Sequence, residues 1–314
     1  MNEEIKPKGR FAPSPSGRMH LGNMMTALLS WLDAKSRGGI WLLRIEDLDP
    51  QRSKAEFARL IEDDLHWLGL DWDEGGLDNL GPAGPYSQSL RHDIYSHYLS
   101  RLRDTGLTYP CRCRRADIMA TQAPHQTDGR IVYAGTCRPA AAPPFHSVDE
   151  ESPAATRIYV PDRVIEFTDR VFGPQSVNLT EHCGDFVVQR ADGAWAYQLA
   201  VVIDDALMGV TDVIRGCDLL LSTAQQLYLY EILGFKAPRY GHVPLVCNAQ
   251  GLRLSKRDQS MSMEQLRRDL TPARLTGILA RTAGLTPTAA PITPHDLLDT
   301  FSLNKIAPTE SLII

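Results

Sequence analysis

Between Arg10 and Gly69 the apolar pattern switches repeatedly between strand and helix, and nothing else in the chain restricts its fold as tightly. Arg10-Phe11-Ala12 reads as a short strand stopped by Pro13 and Pro15. Apolar residues then recur at helical spacing through Leu21, Met25, Leu28, Leu29 and Leu32, and the pattern ends at Gly38-Gly39. Ile40-Trp41-Leu42-Leu43-Arg44-Ile45 is a strand of the fully buried kind. Ser53 is placed to cap a second helix, with Glu56 completing a capping box, and that helix runs to Gly69. Strand, helix, strand, helix predicts a parallel α/β sheet, because parallel neighbours need a crossover long enough to hold a helix.

Residues 108–180 break the pattern. They hold three cysteines, many prolines and short β-like runs, and Ala140-Ala141-Ala142-Pro143-Pro144 reads as an exposed connection. The stretch is expected to be a subdomain inserted between two halves of the sheet domain, residues 1–107 and 181–258. In the second half, Phe186-Val187-Val188 and Trp195-Ala196-Tyr197-Gln198 flank an Asp192-Gly193 turn, and a long helix is expected from Leu219 to Leu233. Val243-Pro244-Leu245-Val246 is expected to be a further strand. A short helical region, residues 259–314, closes the chain.

The 314 residues carry a net charge of −5. A broad DNA-binding surface usually reads basic, so DNA is not an expected partner, and RNA would be met by a local patch. Acidic segments such as Glu62-Asp63-Asp64 are expected to face away from such a patch. With no long apolar run and no basic-then-apolar start, the sequence predicts no membrane span and a cytoplasmic location. The six cysteines are then expected to be thiols or metal ligands rather than disulfides.

Two segments carry residue types suited to nucleotide chemistry. In Arg10-Phe11-Ala12-Pro13-Ser14-Pro15-Ser16-Gly17-Arg18-Met19-His20-Leu21-Gly22-Asn23 a strand ends and a helix begins at a histidine. Helix N-termini bind anions through their unpaired N–H groups and the helix dipole. Gly22 leaves room for a ring or phosphate to approach the backbone, and His20 can donate to phosphate oxygens. Arg253-Leu254-Ser255-Lys256-Arg257-Asp258 places Lys256 where it could neutralise charge developing on a leaving pyrophosphate. Taken singly, the first also fits a proline-rich turn and the second a solvated basic loop.

Together, in this order and separation, the two segments resemble the paired signatures of class I aminoacyl-tRNA synthetases, in the form of the glutamyl and glutaminyl branch. Leu43-Arg44-Ile45-Glu46-Asp47-Leu48-Asp49 and Val201-Val202-Ile203-Asp204-Asp205-Ala206-Leu207-Met208-Gly209 through Arg215-Gly216 resemble the same branch. The resemblance covers residues 9 to 270. Asn23 replaces a histidine in the first signature, a variation the branch accepts. The second begins with Arg253 instead of lysine and ends with Arg257 instead of serine.

The resemblance implies a Rossmann-like parallel-sheet catalytic domain with an inserted zinc-containing subdomain. It implies ATP held by His20, Gly22, Asn23, Ser255 and Lys256, with His20 and Lys256 catalytic and Mg²⁺ accompanying ATP. It further implies an L-glutamate pocket made by Arg10, Ser14, Glu46, Tyr197 and Arg215, the last two on later strands. The chemistry suits an acidic amino acid. Arginines pair with carboxylates through a two-pronged fork, Glu46 can receive an ammonium group, and Tyr197 can orient the ligand.

Only 56 residues follow Asp258, too few for the anticodon-binding domain that full-length synthetases of the branch carry there. In this the chain resembles the short paralogue family, the glutamyl-Q tRNA(Asp) synthetases. That likeness implies tRNA-independent activation of glutamate to glutamyl-adenylate, transfer to the queuosine base in the anticodon of tRNA(Asp), and action as a monomer. It also implies a structural zinc site of Cys111, Cys113, Tyr133 and Cys137, with His125 the rival fourth ligand. Cys183, Cys217 and Cys247 are expected to be small core residues. Two other readings stay open at this point: a truncated glutamyl-tRNA synthetase charging a 3′ end, and a non-catalytic amino-acid-sensing paralogue.

Overall fold

The apolar runs become strands and helices in the expected order. The computed structural model describes residues 6–114, 132–145, 153–248, 250–251 and 262–314. Its first part runs β1 (Lys8–Phe11), α1 (Leu21–Lys35), β2 (Ile40–Leu43), α2 (Ala55–Leu68), β3 (Glu74–Gly75) and α3 (His92–Asp104). Then come β4 (Thr108–Cys111), β5 (Ala155–Ile158), β6 (Val164–Asp169), β7 (Gly173–Asn178), the single turn α4 (Leu179–His182) and β8 (Phe186–Gln189). The remainder is α5 (Tyr197–Leu207), β9 (Asp212–Gly216), α6 (Ser222–Leu233), β10 (Arg239–Val243), β11 (Leu245–Cys247), α7 (Met263–Asp269), α8 (Pro272–Thr282) and β12 (Ser311–Ile313).

Five strands form one parallel sheet in the order β10-β9-β1-β2-β3. Side chains alternate across β2: Trp41 and Leu43 enter the core beneath α1, α2 and α8, while Leu42 packs on the opposite face with Val213 and Tyr240. A second large core lies among α3, α5, α6 and strands β5 to β8. The sheet is therefore covered on both faces, as the continuous apolar run of β2 requires.

Several local expectations are corrected. The second helix starts after Lys54, with no side-chain cap. Asp49 closes a turn by accepting from the backbone N–H groups of Gln51 and Arg52, and Ser53 belongs to that turn, its N–H bound to the Asp49 carbonyl. Strand Phe186–Gln189 does not rejoin the parallel sheet. It pairs antiparallel with β5 in a three-stranded sheet, β4-β5-β8. Trp195 makes one bridge to Gln189, and a helix, not a strand, begins at Tyr197. Residues Leu199 to Asp205 are buried on every side, so the run that follows Trp195–Gln198 is a central helix rather than the continuation of a strand. The run Val243 to Val246 is cut at Pro244, which has no N–H to continue a ladder. Beyond it β11 pairs with the C-terminal β12.

Candidate active site

A cavity of about 550 Å³ opens at the carboxyl ends of β1 and β9, bounded on a third side by Pro244, Leu245 and Val246 just past β10. Open parallel sheets bind ligands at this edge, where crossovers to opposite faces leave a crevice. The turn from Ala12 to His20 forms one wall, with Gly22, Asn23, Glu46 and Tyr197. Ser14, His20, Gly22, Asn23, Glu46 and Tyr197 are thus brought together as expected.

His20 caps α1. Its Nδ1 accepts the Gly22 N–H at 3.1 Å, and Asn23 Oδ1 accepts the His20 N–H at 3.1 Å. With Nδ1 an acceptor, a neutral imidazole carries its proton on Nε2. The first turn of α1 has no acidic residue, so the dipole's positive end is not neutralised. A Cβ on Gly22 would sit 3.1 Å from His20 Cε1; the glycine keeps the histidine ring in place.

Behind the wall lies a buried charge cluster. Arg10 and Arg215 are each 4% exposed and do not line the cavity themselves. Asp205 of α5 accepts from Arg44 Nη1 at 2.6 Å and from Arg10 Nε at 3.4 Å. Arg44 Nη2 also donates to Glu46 Oε1 at 3.1 Å. Burial favours protonation of Asp205, but Arg44 and Arg10 outweigh it and hold the carboxyl below its ordinary range. For Glu46 burial wins, and its carboxyl is raised despite the same two arginines. Burial, then Glu46, raises the Tyr197 phenol, so Tyr197 is a hydrogen-bond donor. Among the described residues the Arg10 guanidinium makes no other hydrogen bond than that to Asp205.

Tyr197 lies at the first turn of α5 rather than on a strand; Arg215 is on β9 as expected. Arg215 is held by the protein: Nε donates to His242 Nε2 at 2.9 Å, Nη1 to Gln226 at 2.8 Å, and Nη2 to Thr223 at 2.8 Å. His242 Nδ1 meets Asp169 at 2.6 Å. Burial depresses the histidine to about 4 in spite of that carboxylate, so it is neutral, with Nδ1–H donated and Nε2 accepting. Ser255 and Lys256 lie outside the described residues, as does His125.

Asp205, Asp218, Leu219 and Thr26 were not singled out from the sequence. Gly216 ends β9 and Asp218 and Leu219 follow it, so the strand-end rule could have pointed to them. Nothing in the sequence marked Asp205 apart from Asp204, yet they face different partners. Asp204 instead receives Gln88, Arg91 and Tyr95 at 2.7, 2.7 and 2.9 Å.

The cysteine cluster forms at the other end of the molecule's small sheet. Cys111 ends β4, and the Sγ atoms of Cys111, Cys113 and Cys137 all lie within 4.8 Å of one another. The Tyr133 hydroxyl sits among them, 3.5 Å from Cys111 Sγ and 3.7 Å from Cys113 Sγ, and accepts the Cys137 N–H at 2.7 Å. With Zn–S bonds of about 2.3 Å at tetrahedral angles, sulfurs on one ion lie about 3.8 Å apart; Cys113 and Cys137 Sγ are 3.4 Å apart, so small shifts of these side chains would let the cluster close on a single metal ion. Burial resists ionisation of Cys137, but the Arg112 backbone N–H and the neighbouring thiols and phenol outweigh it and bring the thiol down to about 7. Asp185 pins the cluster to the sheet, accepting both prongs of Arg138 at 2.6 Å. Of the lone cysteines, Cys247 is buried, while Cys183 and Cys217 are only partly so.

A doubly covered parallel sheet with this capped helix at its crevice is the construction of a class I aminoacyl-tRNA synthetase catalytic domain. Residues 6–299 match the family described as tRNA synthetases class I (E and Q), catalytic domain, and the chain belongs to that family. More particularly, it is 46% identical over 309 residues to a Nitratidesulfovibrio vulgaris protein named Glutamyl-Q tRNA(Asp) synthetase, covering 98% of this chain and 95% of that one. A Symbiobacterium thermophilum protein of the same name is 48% identical over 303 residues, covering 95% and 93%. Among solved structures, a glutamate tRNA ligase from Elizabethkingia meningosepticum, in complex with its amino acid, superposes with a TM-score of 0.81 at 30% identity. The match covers 97% of this chain but 66% of that ligase. The glutamate-tRNA synthetase of Elizabethkingia anophelis gives a TM-score of 0.83 at 30% identity, covering 98% and 68%.

Proposed function

We propose that the chain activates L-glutamate with ATP in the absence of tRNA, and then transfers the glutamyl group to the queuosine base in the anticodon of tRNA(Asp). The observation that carries the first step is the cavity wall itself. It sets the open N-terminus of α1, capped by His20, beside Glu46 and Tyr197, with Arg10 directly behind them. Phosphates of ATP lie against the helix end and His20. Glutamate's carboxylate takes the uncommitted prongs of Arg10, its ammonium faces Glu46, and Tyr197 fixes its orientation. An occupied ammonium subsite returns Glu46 to the ionised form that burial alone disfavours.

Activation is then an in-line attack of the α-carboxylate on the α-phosphate, releasing pyrophosphate. Positioning and charge stabilisation supply most of the rate; Mg²⁺ accompanying ATP would neutralise phosphate charge, and Lys256 is the residue proposed to neutralise the leaving pyrophosphate. The proposed acceptor is the one named in the two similar proteins described above. The cysteine cluster with Tyr133 is proposed to hold a structural zinc ion, and the enzyme to act as a monomer in the cytoplasm. The described residues contain no helix long and apolar enough to cross a membrane.

Purified protein is incubated with ATP, labelled glutamate, and bulk tRNA from cells that make queuosine or cannot. Label confined to queuosine-containing tRNA(Asp) is expected. Equal label on both pools, lost when the 3′ terminus is trimmed, would instead identify a truncated glutamyl-tRNA synthetase. Failure of glutamate-dependent pyrophosphate exchange would leave the non-catalytic reading.

A further inference from the structure

The acidic run on α2 reaches the turn that forms one wall of the cavity. Arg18, in the cavity wall, grips Asp64 with a two-pronged fork, Nη2 to Oδ1 at 2.7 Å and Nε to Oδ2 at 3.1 Å. Asp64 has a side-chain exposure of 0%. Arg267 of α7 donates to the same Oδ1 at 2.9 Å, bonds Asp63 as well, and lies over the Trp67 ring at 5.4 Å. The helix α7 is the first described helix after Lys256. Its first residue is tied to the same turn, the Met263 N–H donating to the Met19 carbonyl at 3.0 Å, and Ser262 bridges His20.

We propose that Asp64 is a positioning residue for the nucleotide site, clasping the first signature turn to the helix that follows the second signature. Without its charge, Arg18 and Arg267 are two like charges converging on one buried point, with only Asp63 left to Arg267, and the signature turn and α7 are pushed apart. The carboxylate touches no substrate in this scheme; it fixes the spacing between the groups that do. The inference rests on reading the cavity as an ATP site.

The test is titration calorimetry on the full chain with MgATP and, separately, with glutamate. Asp64→Asn keeps the shape and removes the charge. It is expected to weaken ATP on the order of tenfold or more, to lower pyrophosphate exchange, and to leave glutamate affinity within about twofold. Arg267→Met is expected to shift ATP affinity in the same direction by less, because the Arg18 fork survives. Asp64→Glu, with its charge retained, is expected to recover part of the loss. Equal weakening of ATP and glutamate, or unchanged ATP affinity in folded Asp64→Asn, overturns the proposal. If Asp64→Asn does not fold, unchanged ATP affinity in Arg267→Met overturns it. Wild-type protein that binds no ATP would reject the reading of the cavity itself, and the clasp with it.

Discussion

Arg10 and Arg215 show how differently two buried arginines can be used. Most donors of Arg215 are satisfied by Thr223, Gln226 and neutral His242, which makes it a rigid positive wall. Arg10 donates only through Nε among the described residues, and the proposed glutamate site uses its terminal nitrogens. Arg10→Lys preserves charge but removes the fork, so KM for glutamate is expected to rise roughly 10- to 100-fold while KM for ATP changes little. Steady-state pyrophosphate exchange checks this. His242 gives a second expectation. Facing it are Asp169 at one ring nitrogen, Arg215 and Thr223 at the other, and Tyr240 stacked on the ring. Its folded pKa of about 4 lies below the ordinary 6.5, so between these values the unfolded chain binds more protons. Folding stability is then lost as pH falls through that window, by about 3 kcal/mol in total. His242→Gln is expected to flatten that slope in denaturant melts between pH 6.5 and 4.

At the scale of elements, two left-handed glycines differ in what they permit. Gly69 ends α2 at φ 83°, and a Cβ there would meet only Pro294, at 3.8 Å. Gly69→Ala therefore carries the conformational penalty alone, about 1–2 kcal/mol. Gly75 ends β3 at φ 94°, and a Cβ would lie 1.9 Å from the Leu43 carbonyl oxygen. Gly75→Ala must break the pairing of β2 and β3 as well, so its destabilisation is expected to exceed that of Gly69→Ala by about 2 kcal/mol or more. Denaturation midpoints of the two variants decide the order. The reach of α5 has a similar origin. Successive residues of a helix point in different directions, so Asp204 takes its hydrogen bonds from Gln88, Arg91 and Tyr95 and Asp205 from Arg44 and Arg10, with Arg44 lying 3.8 Å from Asp204 between them. One central helix thereby anchors both the segment leading into α3 and the arginines behind the cavity.

In the whole molecule the cysteine cluster and the cavity stand on different sheets. Cys111 belongs to the antiparallel β4-β5-β8 sheet, and the cavity to the edge of the parallel one. Removing metal is therefore expected to loosen the small sheet and spare the large one. Cys113→Ser should lose the roughly one equivalent of zinc expected for one four-ligand site, read by atomic absorption. It should retain glutamate-dependent pyrophosphate exchange to within about threefold while transfer to tRNA falls further. Loss of exchange in parallel with transfer would show that the two sheets do not behave independently.

Sequence by itself determined the parallel sheet, the first two helices and the membership of the cavity wall from Ser14 to Asn23. Those features follow from local periods and from a strand-to-helix turn whose residues are contiguous. The cysteine cluster was legible for a similar reason, since its ligands come from two short runs. Tertiary structure alone decided that Phe186–Gln189 joins the antiparallel sheet and that Tyr197 starts a helix. A short apolar run is compatible with either period, and burial on every side is set by neighbours remote in sequence. The same holds for the pairing of Asp205 with Arg10 and Arg44, and of Asp64 with Arg18 and Arg267. A carboxylate's partner depends on which chain segments the fold brings within about 3 Å, and no spacing along the sequence encodes that distance.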